Sequence, residues 1–484
     1  MTLNNFYFVL SLCVVFCIYW ILGGVLKNNK QRSKVLAIYL LLWSYAVVGY
    51  SDIRFLICLM LITAIGYMVP IAYQNSFLGM SRGWIYAGVF SGLLFLGIFK
   101  YFNFFMEQIS KVFGTSSIVF NIFMPLGISF YVFSTISYML DVYRGKIDVN
   151  KSFTEVALYI SFFPKFVSGP IVRANAFLEQ IPMLGHGMSE NFMAGIQIFI
   201  YGCFKKMVLA DHIGVFVDEV FYAPQAYHSL TVLLAVLSYS LQIYFDFSGY
   251  SDMAIGLSKI FGFEFQWNFN FPYLSKNVTE FWKRWHISLS SWLQEYLYYS
   301  LGGNRKGKIR TYVNLMITML LGGLWHGAKW TFIVWGGLHG LALVIHKLFL
   351  EWKLRKYGDK NHTNRVWNVI SWLLTFGYVS FCWIWFRADS FDKVILILKS
   401  MAGCNTGIIQ PYTWSIFGIV LLLIMTSIMW RKRKCSTMMP SSIEERYILL
   451  DLHTVGGLTL FFVLCGLTFA MAYYGNTVFI YGAF

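Results

Sequence analysis

What most constrains this chain is a succession of apolar runs, each long enough to cross a lipid bilayer as a helix. They lie near residues 5–26, 36–50, 53–73, 83–106, 118–143, 191–210, 229–250, 310–326, 328–348, 366–386, 414–430 and 455–474. Roughly 20 apolar residues cover a hydrocarbon core about 30 Å thick. Inside it every backbone N–H and C=O needs a partner within the protein, a demand that segments of this length meet as α-helices. The predicted fold class is therefore all-α, a polytopic membrane protein with about 11–12 transmembrane helices. Only 12% of the residues are charged and 58% are hydrophobic, against roughly 25% charged in an average soluble domain. A soluble globular enzyme, a disordered chain and a disulfide-rich secreted module are all excluded. The eight cysteines are scattered, with no CxxC pair and no Cys/His spacing suited to zinc, so they read as packing residues and no metal is expected.

The charges are few and clustered. Lys27, Lys30, Arg32 and Lys34 separate the first two runs. Lys353, Arg355, Lys356, Lys360 and Arg365 precede the tenth, and Arg431–Lys434 follow the eleventh. Cytoplasmic loops carry surplus Lys and Arg, and twelve crossings with an external N-terminus place all three clusters inside. Both termini are then extracytoplasmic. The N-terminal run lacks a basic leader and a small-residue cleavage site, and is expected to be a retained first span. The net charge of +16 follows from this topology, so nucleic acid is not an expected partner.

Three stretches depart from simple crossings. Residues 155–171 hold Pro164, Lys165, Gly169 and Pro170; residues 279–303 are amphipathic; residues 390–403 are short, with Lys393 and Lys399. Irregular backbone at membrane depth persists only where protein or a water-filled cavity surrounds it. The first two therefore suggest a cavity, with an interfacial position as the alternative, and the third suggests an interfacial helix. No internal repeat or linker is visible. The expectation is one integral membrane domain, residues 1–484, with its core region at about 120–350.

Of nine histidines, two stand out. His326 lies in Gly-Gly-Leu-Trp-His-Gly-Ala, residues 322–328, at the end of a run of only 17 residues, about 25 Å of helix. An ionisable residue held within the membrane is costly and is a functional candidate by default. His286 lies in Phe-Trp-Lys-Arg-Trp-His, where Phe281, Trp285, Leu289, Trp292, Leu293 and Tyr296 recur at helical spacing. The spacing predicts one amphipathic helix capped by Thr279, with Glu280 and Arg284 as an i, i+4 pair. Lys283, Arg284, Arg305 and Lys306 form a cationic rim that either binds a phosphorylated ligand or expresses the cytoplasmic charge bias. Asp246 and Asp252 flank an expected polar turn at the end of the 229–250 run, and either do acid–base work or cap the helix or pair with nearby cations. His339, in Trp-Gly-Gly-Leu-His-Gly, either lines a cavity or belongs to a glycine-packed helix. A Walker motif, a GxSxG elbow, HExxH and a dinucleotide fingerprint are all missing.

Several of these motifs together resemble the membrane-bound O-acyltransferase (MBOAT) family. They are Pro-Leu-Gly-Ile-Ser-Phe-Tyr at 125–131, Phe-Pro-Lys-Phe-Val-Ser-Gly-Pro-Ile-Val-Arg at 163–173, Tyr244–Gly256, Phe281–Ser290, Gly-Gly-Asn-Arg at 302–305 and Leu-Trp-His-Gly-Ala at 324–328. His286 and His326, 40 positions apart, match the family's typical pair. Within the family the sequence looks like the bacterial AlgI-like polysaccharide O-acetyltransferases.

The resemblance implies a ring of tilted helices around a central funnel, with re-entrant segments. It implies an enzyme of the inner (cytoplasmic) membrane, surrounded by membrane lipid. Acetyl groups would come from cytoplasmic acetyl-CoA and cross the membrane for O-acetylation of an extracytoplasmic polysaccharide. The acceptor would be an alginate-like or other exopolysaccharide, reached directly or through a separate periplasmic or surface acetyltransferase. Both His326 and His286 would be catalytic, His326 as the base and His286 orienting donor or acceptor or relaying the proton, and by their charge Lys283, Arg284, Arg305 and Lys306 would hold the phosphates of coenzyme A on the cytoplasmic rim. Peptidoglycan or teichoic-acid O-acylation is the alternative within the class. A non-catalytic transporter of polysaccharide or lipid-linked sugar is the alternative outside it.

Overall fold

The computed structural model describes residues 6–75, 81–115, 119–149, 151–166, 168–358, 364–410, 414–416, 418–420, 447, 449–475 and 480. Among these the secondary structure is helical, apart from one isolated bridge between Tyr227 and Ile408. The elements are α1 (Phe6–Val25), α2 (Asn29–Ser51), α3 (Ile53–Asn75), α4 (Ser81–Leu96), α5 (Phe102–Phe113), α6 (Ile128–Tyr143), α7 (Phe153–Ser161), α8 (Phe163–Phe166), α9 (Ala174–Leu178) and α10 (Met188–Cys203). They continue as α11 (Asp211–Tyr222), α12 (Ser229–Ile260), α13 (Val278–Arg284), α14 (Ile287–Trp292), α15 (Lys308–His326), α16 (Trp330–Tyr357), α17 (Arg365–Arg387), α18 (Phe391–Ala402) and α19 (Val455–Ala470). Polar residues start many of them: Asn28, Asn277, Asn364 and Ser390 each accept a backbone N–H of the first turn, and Ser152 forms a reciprocal capping box with Glu155.

Seven helical segments among the described residues are long and apolar enough to cross a membrane. They are α2, α3, α4 continued through a π-turn into α5, α10 continued through a π-turn into α11, α12, α16 and α17. The runs near 5–26, 310–326 and 455–474 form α1, α15 and the 16-residue α19. Most of the run near 414–430 lies outside the described residues.

Two expectations are corrected. The run near 118–143 is helical only from Ile128, because Pro125 lacks an amide donor and disfavours helix at the residue before it. Gly127 then turns the chain at φ +70°, where an added Cβ would lie 2.3 Å from the Phe166 carbonyl oxygen. The polar turn expected between Asp246 and Asp252 is absent, since α12 runs unbroken for 32 residues.

The chain divides into two compact units. The first comprises residues 1–199 and 250–266. Its core is aromatic: Phe162, Phe177, Phe263 and Phe265 form mutual ring contacts, with Phe177 stacked on Phe263 at 4.4 Å. The motif at 163–173 breaks the helix as expected. After α7 come the four residues of α8, and Gly169 packs where a Cβ would sit 2.5 Å from Cα of Lys165. The Lys165 amine is buried, 3.9 Å from the Tyr159 ring centroid, where a cation is favoured over a π-face.

The second unit comprises residues 200–249 and 267–484. Its central feature is the α15–α16 hairpin. A Cβ on Gly323 would lie 2.2 Å from the Phe332 carbonyl oxygen, and one on Gly336 would lie 2.2 Å from that of Met319. Glycine at both positions lets the two backbones approach to a distance no other residue allows. In the same unit Gly249 brings α12 against the π-turn Phe204–Ala210, with a Cβ only 2.8 Å from the Gly202 oxygen.

Candidate active site

His326 is the last residue of α15, buried at the tip of the hairpin. Its imidazole is enclosed by aromatic rings: Trp325 at 4.9 Å, Trp335 at 5.1 Å and Phe386 at 5.2 Å between centroids. Gly327 then takes an extended turn, and an added Cβ there would strike the Phe332 ring at 2.4 Å.

His286 is buried too, but the single amphipathic helix expected around it does not form. The helix breaks at Trp285 and His286, leaving α13 and α14 on either side. Its cap is Asn277, whereas the Thr279 hydroxyl meets Nδ1 of His346 at 2.8 Å. The apolar stripe is buried rather than interfacial, Trp285 and Leu289 each being 1% exposed. The cause is non-local. The extended segment before α13 pairs with the break: Asn270 donates to the Arg284 carbonyl, Ile287 donates to that of Asn268, and Asn268 Oδ1 accepts from Ser288 Oγ at 2.6 Å. His286 is thereby held at φ +42°, a region costly for a side chain other than glycine and concentrated at functional sites.

The two histidines share a neighbour. The Trp325 ring lies 6.1 Å from that of His286 and 4.9 Å from that of His326. Phe247, from α12, stands edge-on to His286 at 4.6 Å. Behind them Trp383 contacts both Trp285 and Trp335, and its indole donates to the Tyr273 hydroxyl at 3.1 Å. That hydroxyl donates in turn to the Ser240 carbonyl at 2.6 Å.

The four basic candidates fall on two elements. Lys283 and Arg284 close α13; Arg305 and Lys306 lie exposed in the turn before α15. Arg284 pairs with Glu280 at 2.8 Å, as expected, and also donates to the Asn270 carbonyl. Asp246 belongs to an ion cluster: the Lys206 amine lies 2.6 Å from both Asp246 and Asp211, and all three are buried. Of its two sequence readings, pairing is the one observed. Asp252 is also buried within α12. No group of three or more metal-ligating side chains occurs among the described residues.

The motif around His339 fits both packing and a cavity. The residue is fully buried, one turn after Trp335 on α16, and its ring lies 5.0 Å from that of Trp335. Trp282 donates its indole N–H to Nδ1 of His339 at 3.3 Å. The only local signal was the i, i+4 spacing of Trp335 and His339.

The family model for membrane-bound O-acyltransferases matches residues 146–384, a stretch containing both histidines and the glycine hairpin. The chain is 37% identical over 409 residues to the probable alginate O-acetylase AlgI of Pseudomonas aeruginosa, covering 83% of this chain and 75% of that one. The chain belongs to the membrane-bound O-acyltransferase family. It is 33% identical over 414 residues to the peptidoglycan O-acetyltransferase of Helicobacter pylori, covering 80% of this chain and 77% of the relative. The teichoic acid D-alanyltransferase of Bacillus subtilis is 28% identical over 282 residues, covering 56% and 70%. As a membrane-bound O-acyltransferase the chain is a multi-pass membrane enzyme that moves an acyl group to an oxygen.

Proposed function

We propose that this enzyme takes acetyl groups from acetyl-CoA at the cytoplasmic face and passes them across the membrane for O-acetylation of an extracytoplasmic polysaccharide. The observation that carries this reading is the buried imidazole of His326 at the tip of a glycine-packed hairpin, in a chain that covers three-quarters of a probable alginate O-acetylase. Acyl transfer to a hydroxyl needs a base beside that hydroxyl. A neutral imidazole supplies one near pH 7. His326 takes the hydroxyl proton as the oxygen attacks the thioester carbonyl, then returns a proton to the departing thiolate. His286, held by the 268–270 segment on the other side of Trp325, orients the acceptor. Lys283, Arg305 and Lys306, with exposed side chains, meet the phosphates of coenzyme A, and Arg284 supports them from its pair with Glu280.

The likeness to the Helicobacter peptidoglycan O-acetyltransferase over most of both chains supports a second acceptor, the glycan of peptidoglycan. A separate periplasmic or surface acetyltransferase receiving the group completes the proposal, with the enzyme in the bacterial inner membrane. Membrane vesicles supplied with acetyl-labelled acetyl-CoA test it. Release of free coenzyme A and transfer of label to carbohydrate are expected, both lost in His326→Ala. Label transfer undiminished in His326→Ala would overturn the role given to His326, absence of thiol release and label transfer in the parent would sink the reading, and uptake of sugar without thiol release would favour a transporter.

A further inference from the structure

The tautomer of His339 is set by its neighbour. An indole N–H can only donate, so Nδ1 of His339, which receives it from Trp282 at 3.3 Å, carries no proton. The imidazole is neutral and its proton sits on Nε2. That N–H is buried and finds no hydrogen-bond partner among the described residues. A buried donor left unpaired is costly, so its position needs a reason beyond packing.

Its surroundings limit what it can serve. Phe281 stacks parallel to the ring at 6.1 Å, and Trp282, Trp335, Tyr378 and Trp383 are its other aromatic neighbours. The Tyr378 hydroxyl is committed to the Leu338 carbonyl at 2.7 Å. His339 cannot act as a base without giving up the Trp282 bond, and the aromatic walls suit an uncharged acceptor rather than a hydrated anion. Trp335 lies against both His339, at 5.0 Å, and His326, at 5.1 Å. The close approach of Gly336 to the Met319 oxygen and of Gly340 to the Met316 sulfur fixes α16 against α15, so the donor is held in place beforehand.

We infer that His339 donates from Nε2 to the carbonyl oxygen of the acyl thioester, holding that oxygen as it becomes an oxyanion. This deepens the proposed acyl transfer and rests on it. In the step, the acceptor oxygen bonds to the acyl carbon and its proton passes to His326. The carbonyl electron pair moves onto the oxygen that His339 holds, then returns as the carbon–sulfur bond breaks. The thiolate leaves and receives the proton from His326. Preorganised neutral donors of this kind act on the transition state more than on the bound substrate.

The test uses the full-length enzyme in native membrane vesicles with labelled acetyl-CoA, rates normalised to the amount of folded protein. His339→Phe keeps an aromatic ring and removes the donor; kcat should fall about 100- to 1000-fold while KM for acetyl-CoA stays within about threefold. His339→Gln places an amide N–H near the position of Nε2 and should remain within about tenfold of the parent. If His339→Phe does not fold, His339→Leu takes its place. A folded donor-free variant within tenfold of the parent overturns the inference, as does a glutamine variant as slow as the phenylalanine one. His326→Ala separates the two levels. If it stays active, the role of His326 as the base fails, and if the parent itself releases no coenzyme A and transfers no label, the acyl-transfer reading fails. If it is inactive while His339→Phe is fast, only the role of His339 fails.

Discussion

Lys206 and Asp246 meet at 2.6 Å with almost no exposure of either side chain, and Asp211 accepts from the same amine at 2.6 Å. Lys206 reaches them from the π-turn between α10 and α11, and Gly249 one turn after Asp246 lets that turn come close. Removing one partner of a buried pair leaves an uncompensated charge, which costs about 3–5 kcal/mol. Lys206→Met should therefore lower the thermal unfolding temperature of the detergent-solubilised protein markedly. Asp246→Asn should do less harm, because Asp211 still faces the amine. Equal unfolding temperatures for parent and Lys206→Met would show that the cluster contributes little.

Hairpin packing predicts unequal effects for two adjacent glycines. Gly336→Ala puts a methyl 2.2 Å from a backbone oxygen that cannot rotate away, whereas Gly337→Ala meets only a Leu320 methyl at 3.4 Å. The first should destabilise by about 1–3 kcal/mol and reduce acyl transfer; the second should be close to neutral. Melting curves and coenzyme A release on the two variants check this.

His326→Ala should fold and insert normally, yet transfer acetyl groups about 100- to 10,000-fold more slowly, the range for loss of a general base. Gel-filtration profile and thiol release measured on one preparation provide the comparison.

At His286 stability and activity should separate. Its φ of +42° strains any residue with a Cβ, by about 1–2 kcal/mol relative to glycine. His286→Gly should unfold at a higher temperature than His286→Ala, and both should lose activity. An alanine variant as stable as the glycine one would mean that the segment relaxes when the imidazole is removed.

Neutralising the exposed pair, Arg305→Gln with Lys306→Gln, should raise KM for acetyl-CoA several-fold with little change in kcat, the pattern of lost uniform binding. The parent's KM should rise with salt, since exposed charges are screened beyond about 8–10 Å, and the variant's should rise less. Initial rates at two ionic strengths check both.

Much of this enzyme was legible in its sequence. Run length and the scarcity of charge specified a helical membrane protein, because lipid leaves a spanning backbone few other ways to satisfy its hydrogen bonds. The glycine-rich motif at 322–328, closing a short apolar run, made His326 the evident candidate, and the glycines around His339 were readable as helix packing. The break near Pro164 was likewise visible, since proline and glycine act locally. What only the tertiary structure decided depends on partners distant in the chain. The spacing of Phe281, Trp285 and Leu289 described a continuous helix, but hydrogen bonds from Asn268 and Asn270 break it and turn His286 left-handed. The polar stretch at 246–252 looked like a helix end, yet Lys206 neutralises Asp246 and α12 continues. His339 gained its tautomer from Trp282, 57 residues away. Periodicity reports how a segment meets its own neighbours; where a buried polar group finds its partner is settled only when the helices pack.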